Sequence, residues 1–275
     1  MFADDTNLFH TGKALDEVEM QMNCELAKVD EWFKANLLSL NVGKTSYILF
    51  GNKKHPDIKI YMQNSSLIRQ YHTKFLGVIL SSNLKWNKHI EIIRNKTSKS
   101  IGIISKVRHL LPVNLTRMLY QTLVEPYLFY CNMVWASAEK TTLLEHILKI
   151  QKKFCRVITF SDFRASSKPL FFQLKLLPIY DIYKFNVATY MYKIINGLIP
   201  VLNHQRFALK SNIHGHDTRQ RDNIHLPFCR TTMRQNTICF QGPKLWNHLP
   251  DHIKSARTVY VFKKCLKLSL ISSLC

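Results

Sequence analysis

The period of the apolar positions changes along the chain. Leu15, Val18, Met22, Leu26, Val29 and Phe33 recur at three- and four-residue spacing, which predicts an amphipathic helix over residues 14–35. Before it, residues 1–9 read as a short strand and turn in which Phe2, Leu8 and Phe9 flank Asp4 and Asp5. After it, Asn36 and Asn41-Val42-Gly43 punctuate the chain. Residues 45–50 then read as a strand ended by Gly51, 58–62 and 67–71 as a hairpin about Asn64-Ser65-Ser66, and 75–80 as a third strand. From Trp86 onward the spacing turns helical, over 87–111, 113–124, 126–138, 143–160 and 179–196, with Pro or Gly at the borders. Residues 197–216, rich in Gly, Pro, Asn and His, read as a linker. Beyond it, 224–228 and 237–240 are expected as short strands, and 244–249 and 259–270 as closing helices. The fold class is α+β: an α+β block over 1–82, a helical region over 83–196, and a linker with a small α+β segment over 197–275.

Composition adds one strong constraint. The 275 residues are 46% hydrophobic with 8 Gly and 9 Pro, a globular balance that excludes collagen-like, low-complexity and fully disordered classes. Lys and Arg number 39 against 18 Asp and Glu, a net charge of +21, which implies a polyanionic partner. The excess is uneven: residues 1–50 carry 4 basic and 8 acidic side chains, and 51–275 carry 35 and 10. That split suits a cation-holding site joined to surfaces that hold a phosphate backbone. The first ten residues are acidic and polar where a secretory signal is basic and then apolar, and no run reaches about 18 apolar residues. No membrane association is expected, and the reading is an intracellular protein, cytoplasmic or nuclear. Seven cysteines without a CxxC pair fit reduced thiols.

Two constellations carry candidate chemistry. Asp4-Asp5, at a tight turn between apolar segments, has the form of a two-metal phosphoryl-transfer site, because oxygen ligands hold Mg²⁺. Taken alone, an Asp-Asp dipeptide is more often a solvated turn or cap. In the second, Lys88, Lys96, Lys99 and Lys106, with Lys85 just ahead, fall within an arc of about 80° on an ideal helix. Ile90, Ile93, Thr97, Ile101 and Ile104 share the opposite side, and Ile92 and Ile103 interrupt the basic face. Residues 52–110 hold 12 Lys and Arg against 2 acids. Trp86 could stack on a base, although core anchoring is the commoner use of a lone Trp. His214, His216, Cys229 and Cys239 match no common zinc finger spacing, which leaves a linker with two cysteines in or near the C-terminal strands.

These pieces stand in a known order. Met1-Phe2-Ala3-Asp4-Asp5-Thr6 with Leu8-Phe9 resembles the Tyr/Phe-Ala-Asp-Asp turn of reverse transcriptases. Trp32-Phe33 through Asn36, Leu40-Asn41, Lys44-Thr45 and Phe50-Gly51 is similar to the segment that follows it in non-long-terminal-repeat (LINE-type) retrotransposons. Lys74-Phe75-Leu76-Gly77-Val78 with Leu84, Trp86 and His89-Ile90 resembles that family's primer-grip hairpin and thumb entry. Leu119-Tyr120, Pro126-Tyr127-Leu128, Trp135 and Ile150-Gln151-Lys152 resemble its thumb and connection. The run from Phe240 to Pro250, with Phe262-Lys263-Lys264, resembles the C-terminal segment of jockey-like animal elements.

The resemblance covers essentially the whole chain and implies a partial reverse-transcriptase palm, a helical thumb and connection, and a C-terminal segment. It implies RNA-directed DNA synthesis as the ancestral activity, with Mg²⁺ on Asp4 and Asp5, Lys44 near the leaving pyrophosphate, and Phe75, Leu76 and Gly77 as a primer grip. It assigns RNA or an RNA/DNA duplex to the lysine face. Fingers, upstream palm and a further carboxylate strand, which the family also has, do not lie within these residues. The expectation is therefore a fragment with poor Mg²⁺ affinity and little activity alone, which could pair with a separate palm and fingers fragment, bind nucleic acid without chemistry, or have no selected role. The face of the first helix is expected to lack its normal partners.

Overall fold

A computed structural model describes residues 6–51, 56–137, 142–200, 207–212 and 221–274. The chain divides into two compact units, 1–88 and 89–275.

In the first unit, α1 (Leu15–Ala35) follows the predicted span. Asp16 and Glu17 in its first turn and Lys34 in its last complement the helix dipole. The apolar face is not left without partners: Leu26 and Phe33 are buried against Ile58, Ile60, Met62 and Leu67, with Leu15, Val18, Met22 and Val29 at the margin. Polar side chains of the helix hold the backbone of residues 59–61. Asn23 donates to the Lys59 carbonyl at 2.9 Å and accepts from the Tyr61 N–H at 2.9 Å, while Glu19 accepts from the Lys59 N–H at 3.0 Å. Backbone groups that would be orphaned at a sheet edge are thus satisfied by the helix. Asp30 is buried and binds Lys34 at 2.6 Å and the Gln63 amide at 2.7 Å, which hold its carboxyl below the usual carboxylate range.

The strands are shorter than the sequence suggests and pair differently. β1 (Ser46–Tyr47) runs parallel to β4 (Ile68–Arg69). β2 (Tyr61–Met62) pairs with β3 (Ser65–Ser66) around Gln63-Asn64, whose φ angles are 49° and 61°. The tight turn therefore sits one residue earlier than Asn64-Ser65-Ser66. The expected third strand is a hairpin: β5 (His72–Phe75) and β6 (Val78–Ser81) are antiparallel, and Leu76 and Gly77, with φ of 45° and 81°, form its tip.

The second unit is helical. Its first long helix is α2 (Asn87–Val107), followed by α3 (Val113–Leu123), α4 (Glu125–Phe129), α5 (Asn132–Trp135), α6 (Thr142–Ile158), α7 (Ser167–Leu174) and α8 (Ile179–Ile195). The C-terminal segment adds α9 (Thr232–Gln235), α10 (Ile238–Asn247), α11 (Asp251–Lys254) and α12 (Val259–Ser272). The helix expected over 126–138 is broken at Tyr130-Cys131, where Cys131 has φ 48°. The break is satisfied internally: the Trp135 indole donates to the Tyr130 carbonyl at 2.9 Å and the Asn132 amide to the Leu128 carbonyl at 3.0 Å.

Helix α8 is apolar on nearly all sides, with Ile179, Ile182, Val187, Ala188, Met191, Tyr192 and Ile194 buried, and α4, α5, α6, α10 and α12 pack around it. Gly242 allows α10 to approach closely, since a Cβ there would stand 2.6 Å from the Met191 sulfur. Tyr192 and Trp246 both stack with Phe262 of α12, at ring distances of 4.3 and 6.1 Å. The strand expected over 237–240 is instead the start of α10, and the helix expected over 244–249 is its second half. Around 224–228 the described residues form one isolated bridge, Leu209 to Ile224. The Asn247 side chain takes both backbone groups of Ile224, at 3.0 and 2.8 Å. The C-terminal segment is thus helical where small strands were expected.

One buried amide joins three helices. Gln151 of α6 donates to the Tyr120 hydroxyl of α3 at 2.9 Å and to the Leu177 carbonyl at 3.2 Å, and accepts from the Ile179 N–H at the start of α8 at 2.9 Å. Tyr120 stacks on Phe154 with ring centroids 4.3 Å apart, and burial pushes its hydroxyl pKa upward. Among the described residues the cysteines are free thiols, and burial pushes that of Cys155 up to about 12. Such a thiol is unreactive near neutrality.

Gln151→Ala leaves a buried N–H, a buried carbonyl and a buried hydroxyl without their partner and is expected to cost about 3 kcal/mol, from roughly 1–3 kcal/mol per orphaned group. A loss below about 1 kcal/mol in urea unfolding would show that the amide is dispensable. A second expectation concerns His89, buried on α2 edge-to-face with Trp135 at 5.6 Å. Desolvation, then the charge of Lys96, lowers its pKa from the ordinary 6.5. The unfolded chain therefore binds this proton first, so the His89 contribution is complete above about pH 6.5 and declines as pH falls toward the folded value. Stability measured between pH 7 and pH 5 should fall less steeply in His89→Leu than in the parent chain.

Candidate nucleic-acid interface

The acidic pair Asp4 and Asp5 lies outside the described residues. Phe9 meets Phe75 edge-to-face at 6.1 Å, so the segment after the pair is anchored on the β5–β6 hairpin. Lys44 is exposed at the end of a 3₁₀ turn, Val42–Lys44. The turn is built by Asn41, whose side-chain oxygen accepts from the Lys44 N–H at 3.2 Å. Among the described residues no group of three or more His, Cys, Asp or Glu side chains converges. His214 and His216 also fall outside them; Cys229 is buried and Cys239 is half-buried in α10.

Phe75, Leu76 and Gly77 are brought together at the β5–β6 tip. Phe75 is half-buried, while Leu76 is 44% exposed in a left-handed conformation that costs a branched side chain energy.

The lysines are placed by a strict division of α2. Its buried positions are His89, Ile90, Ile93, Thr97, Ile101 and Ile104, and the Thr97 hydroxyl is satisfied by the Ile93 carbonyl at 2.9 Å. This face contains every residue assigned to it from spacing, plus His89. Lys88, Lys96, Lys99 and Lys106 are all exposed on the other side, and Lys85, also exposed, lies in the turn before the helix. Ile103 stands among them 60% exposed, whereas Ile92 is half-buried. Trp86 is half-buried. At 1.5 Å per residue the row from Lys96 to Lys106 spans about 15 Å, over which B-form DNA carries roughly nine phosphate charges.

Spacing did not reveal one feature of this face. The Lys96 ammonium lies 5.1 Å from the centre of the Tyr127 ring on α4, a cation–π contact that restrains a side chain otherwise free to wander. Glu91 is an exposed acid on the same helix, at the margin of the row. Lysines facing water opposite an isoleucine seam can form sequence-independent contacts to phosphate oxygens. Among the described residues no helix is long and apolar enough to cross a membrane.

No protein-family profile matches the chain, and no solved structure matches it. Three curated proteins do. The chain is 23% identical over 184 residues to a Drosophila melanogaster protein named "Probable RNA-directed DNA polymerase from transposon X-element". It is 26% identical over 184 residues to the RNA-directed DNA polymerase from mobile element jockey of Drosophila funebris, and 24% identical over 187 residues to the jockey polymerase of Drosophila melanogaster. Each match covers 66% of this chain and 20% of the relative, so the chain spans about a fifth of the length of the polymerases it matches. Motif order and sequence comparison agree: the chain is similar to the reverse transcriptases of jockey-like, non-long-terminal-repeat retrotransposons.

Proposed function

We propose that these residues are the primer-holding and duplex-holding part of a retrotransposon reverse transcriptase, and that by themselves they bind RNA or an RNA/DNA duplex without extending it. The observation that carries the reading is the exposed lysine row of α2 opposite its buried isoleucine seam. In this reading residues 1–82 correspond to part of a palm, 83–196 to thumb and connection, and 197–275 to a C-terminal segment. The lysines neutralise phosphates and release counterions, fixing the strand without reading its bases. The Phe75-Leu76-Gly77 tip acts as a primer grip, which supplies a reason for an exposed leucine held in a left-handed turn. Asp4 and Asp5 would hold Mg²⁺ and Lys44 would sit near the leaving pyrophosphate. Magnesium keeps most of its waters and needs further oxygen ligands, which a separate palm and fingers segment would bring. The same residues in a decayed element would keep the binding and lose the chemistry.

Two measurements test this. Binding of the full chain to single-stranded RNA should weaken with salt at a log–log slope of about −0.7 per phosphate contacted. Changing Lys96, Lys99 and Lys106 together to Gln should flatten that slope by about 2 units. Changing the exposed Arg257, Lys263 and Lys264 should leave it unaltered; an equal response to both triples would reduce the site to diffuse polycation binding. In a primer-extension assay on an RNA template with Mg²⁺ or Mn²⁺, the chain alone should incorporate nothing. Incorporation abolished by Asp4→Ala would show that it polymerises unaided.

A further inference from the structure

We propose that the turn after α6, residues 159–166, is a stacking platform for unpaired bases of a single-stranded nucleic acid, with Phe160 and Phe163 as the stacking rings and Arg108 and Arg156 as their cationic backing. This rests on the nucleic-acid binding proposed above and adds to it a base-facing surface distinct from the lysine row.

The first observation is conformational. Helix α6 ends with the Ser161 N–H donating to the Arg156 carbonyl at 3.0 Å, and Phe160, just before Ser161, has φ 51°. This is the left-handed closing position that helices usually give to glycine. Here it carries a phenylalanine whose side chain is not buried, the residue being 59% exposed. Its inner contacts are the Arg108 guanidinium at 4.8 Å and the tilted His109 ring at 5.8 Å. Packing gives little reason for a strained aromatic there, whereas presentation to a ligand does.

The second observation is the company the rings keep. Phe163 is 84% exposed, with the Arg156 guanidinium 5.9 Å from its centre. Both arginines are held in place by backbone: Arg108 donates to the Val157 carbonyl and Arg156 to the Ala165 carbonyl, each at 2.9 Å. Arg164 follows Phe163 in the sequence, and the one acid within 156–168 is Asp162. Asp162 is engaged in shaping the turn, accepting from the Arg164 N–H at 2.7 Å.

Exposed aromatics interleaved with fixed guanidinium groups are what an unpaired base recognises. Every base has a π-face, stacking tolerates any sequence, and the adjacent arginines meet the phosphates. In a duplex those faces are already covered by neighbouring base pairs, so the ligand is a single strand. Phe160 and Phe163 are three residues apart and their Cα atoms lie within about 11 Å, so they can serve neighbouring nucleotides of one strand.

The test uses the full chain, a fluorescent oligouridylate, and an abasic strand of the same length, read by anisotropy. Phe160→Gly with Phe163→Ser should weaken oligouridylate binding at least about fivefold. It should leave abasic-strand binding and the salt slope unchanged, while Phe163→Trp retains full affinity. Phe160→Gly alone should raise or preserve the thermal midpoint, because glycine suits the left-handed position; a lowered midpoint would mean that Phe160 is a packing residue and overturns the platform. Wild-type binding undiminished in the double variant also overturns it, as does a concentration-dependent sedimentation shift abolished by that variant, which would assign the rings to a second copy of the chain. If the wild-type chain binds neither strand, nucleic-acid binding itself fails, a result distinct from the loss of the platform alone.

Discussion

The arrangement of the helical unit depends on Gln151. Apolar helix faces attract without fixing register, since sliding by a turn still buries similar area. A buried amide admits one register, because each of its bonds is lost if a helix shifts. Gln151 is 1% exposed and joins α3, α6 and α8. It does so at the first residue of α8, whose N-cap, Pro178, offers no side-chain cap. The Ile179 N–H that every such helix start leaves orphaned is therefore satisfied from a neighbouring helix, and capping and tertiary docking become one interaction. Phe154, one turn along α6, stacks on the same Tyr120 that receives the amide proton, so polar and apolar contacts specify the same register.

With α8 fixed in this way, its unbroken apolar surface collects the rest of the unit. Close approach by α10 needs Gly242, and the Pro243 that follows removes the hydrogen bond to the Cys239 carbonyl inside a helix. The run of Gln241, Gly242, Pro243 and Trp246 is buried throughout, which explains why residues that look like a loop signature form an interior helix. The surfaces left to solvent, the α2 row and the turn after α6, are those that packing does not require.

What was legible in the sequence follows from how local each signal is. Helices α1, α2 and α12 were readable to within a few residues because each has one apolar face and defined ends, and the α2 seam followed from the helical period alone. The break at Tyr130-Cys131 was not readable, because it rests on the Trp135 indole reaching back to a carbonyl, a contact without periodicity. Helix α7 was missed because Ser166-Ser167-Lys168-Pro169 looks like a turn, although a proline near a helix start costs little. The 237–240 segment read as a strand because four residues cannot distinguish the two periods. For the candidate site, the exposed placement of the lysines on α2 was legible and the Tyr127 contact was not. Phe160 and Phe163 left a trace in Phe-Ser-Asp-Phe-Arg, where two aromatics fall among polar residues.

Charge decides how these surfaces relate to stability. With 39 basic and 18 acidic side chains, pairing every carboxylate with a different cation still leaves 21 cations over. That excess opposes the compact state through self-repulsion, most strongly at low ionic strength. Isolated surface ion pairs such as Lys28 with Glu25 offset little of it. A polyanion laid along α2 relieves the repulsion, and if it binds only the folded chain it stabilises that chain by mass action. Salt acts in two opposed ways: it screens the repulsion, which favours folding of the free chain, and it weakens phosphate contacts, which reduces the stabilisation of the bound one. On the proposed function, the lysine row is a cost to the chain alone that would become a source of stability if a phosphate backbone bound there.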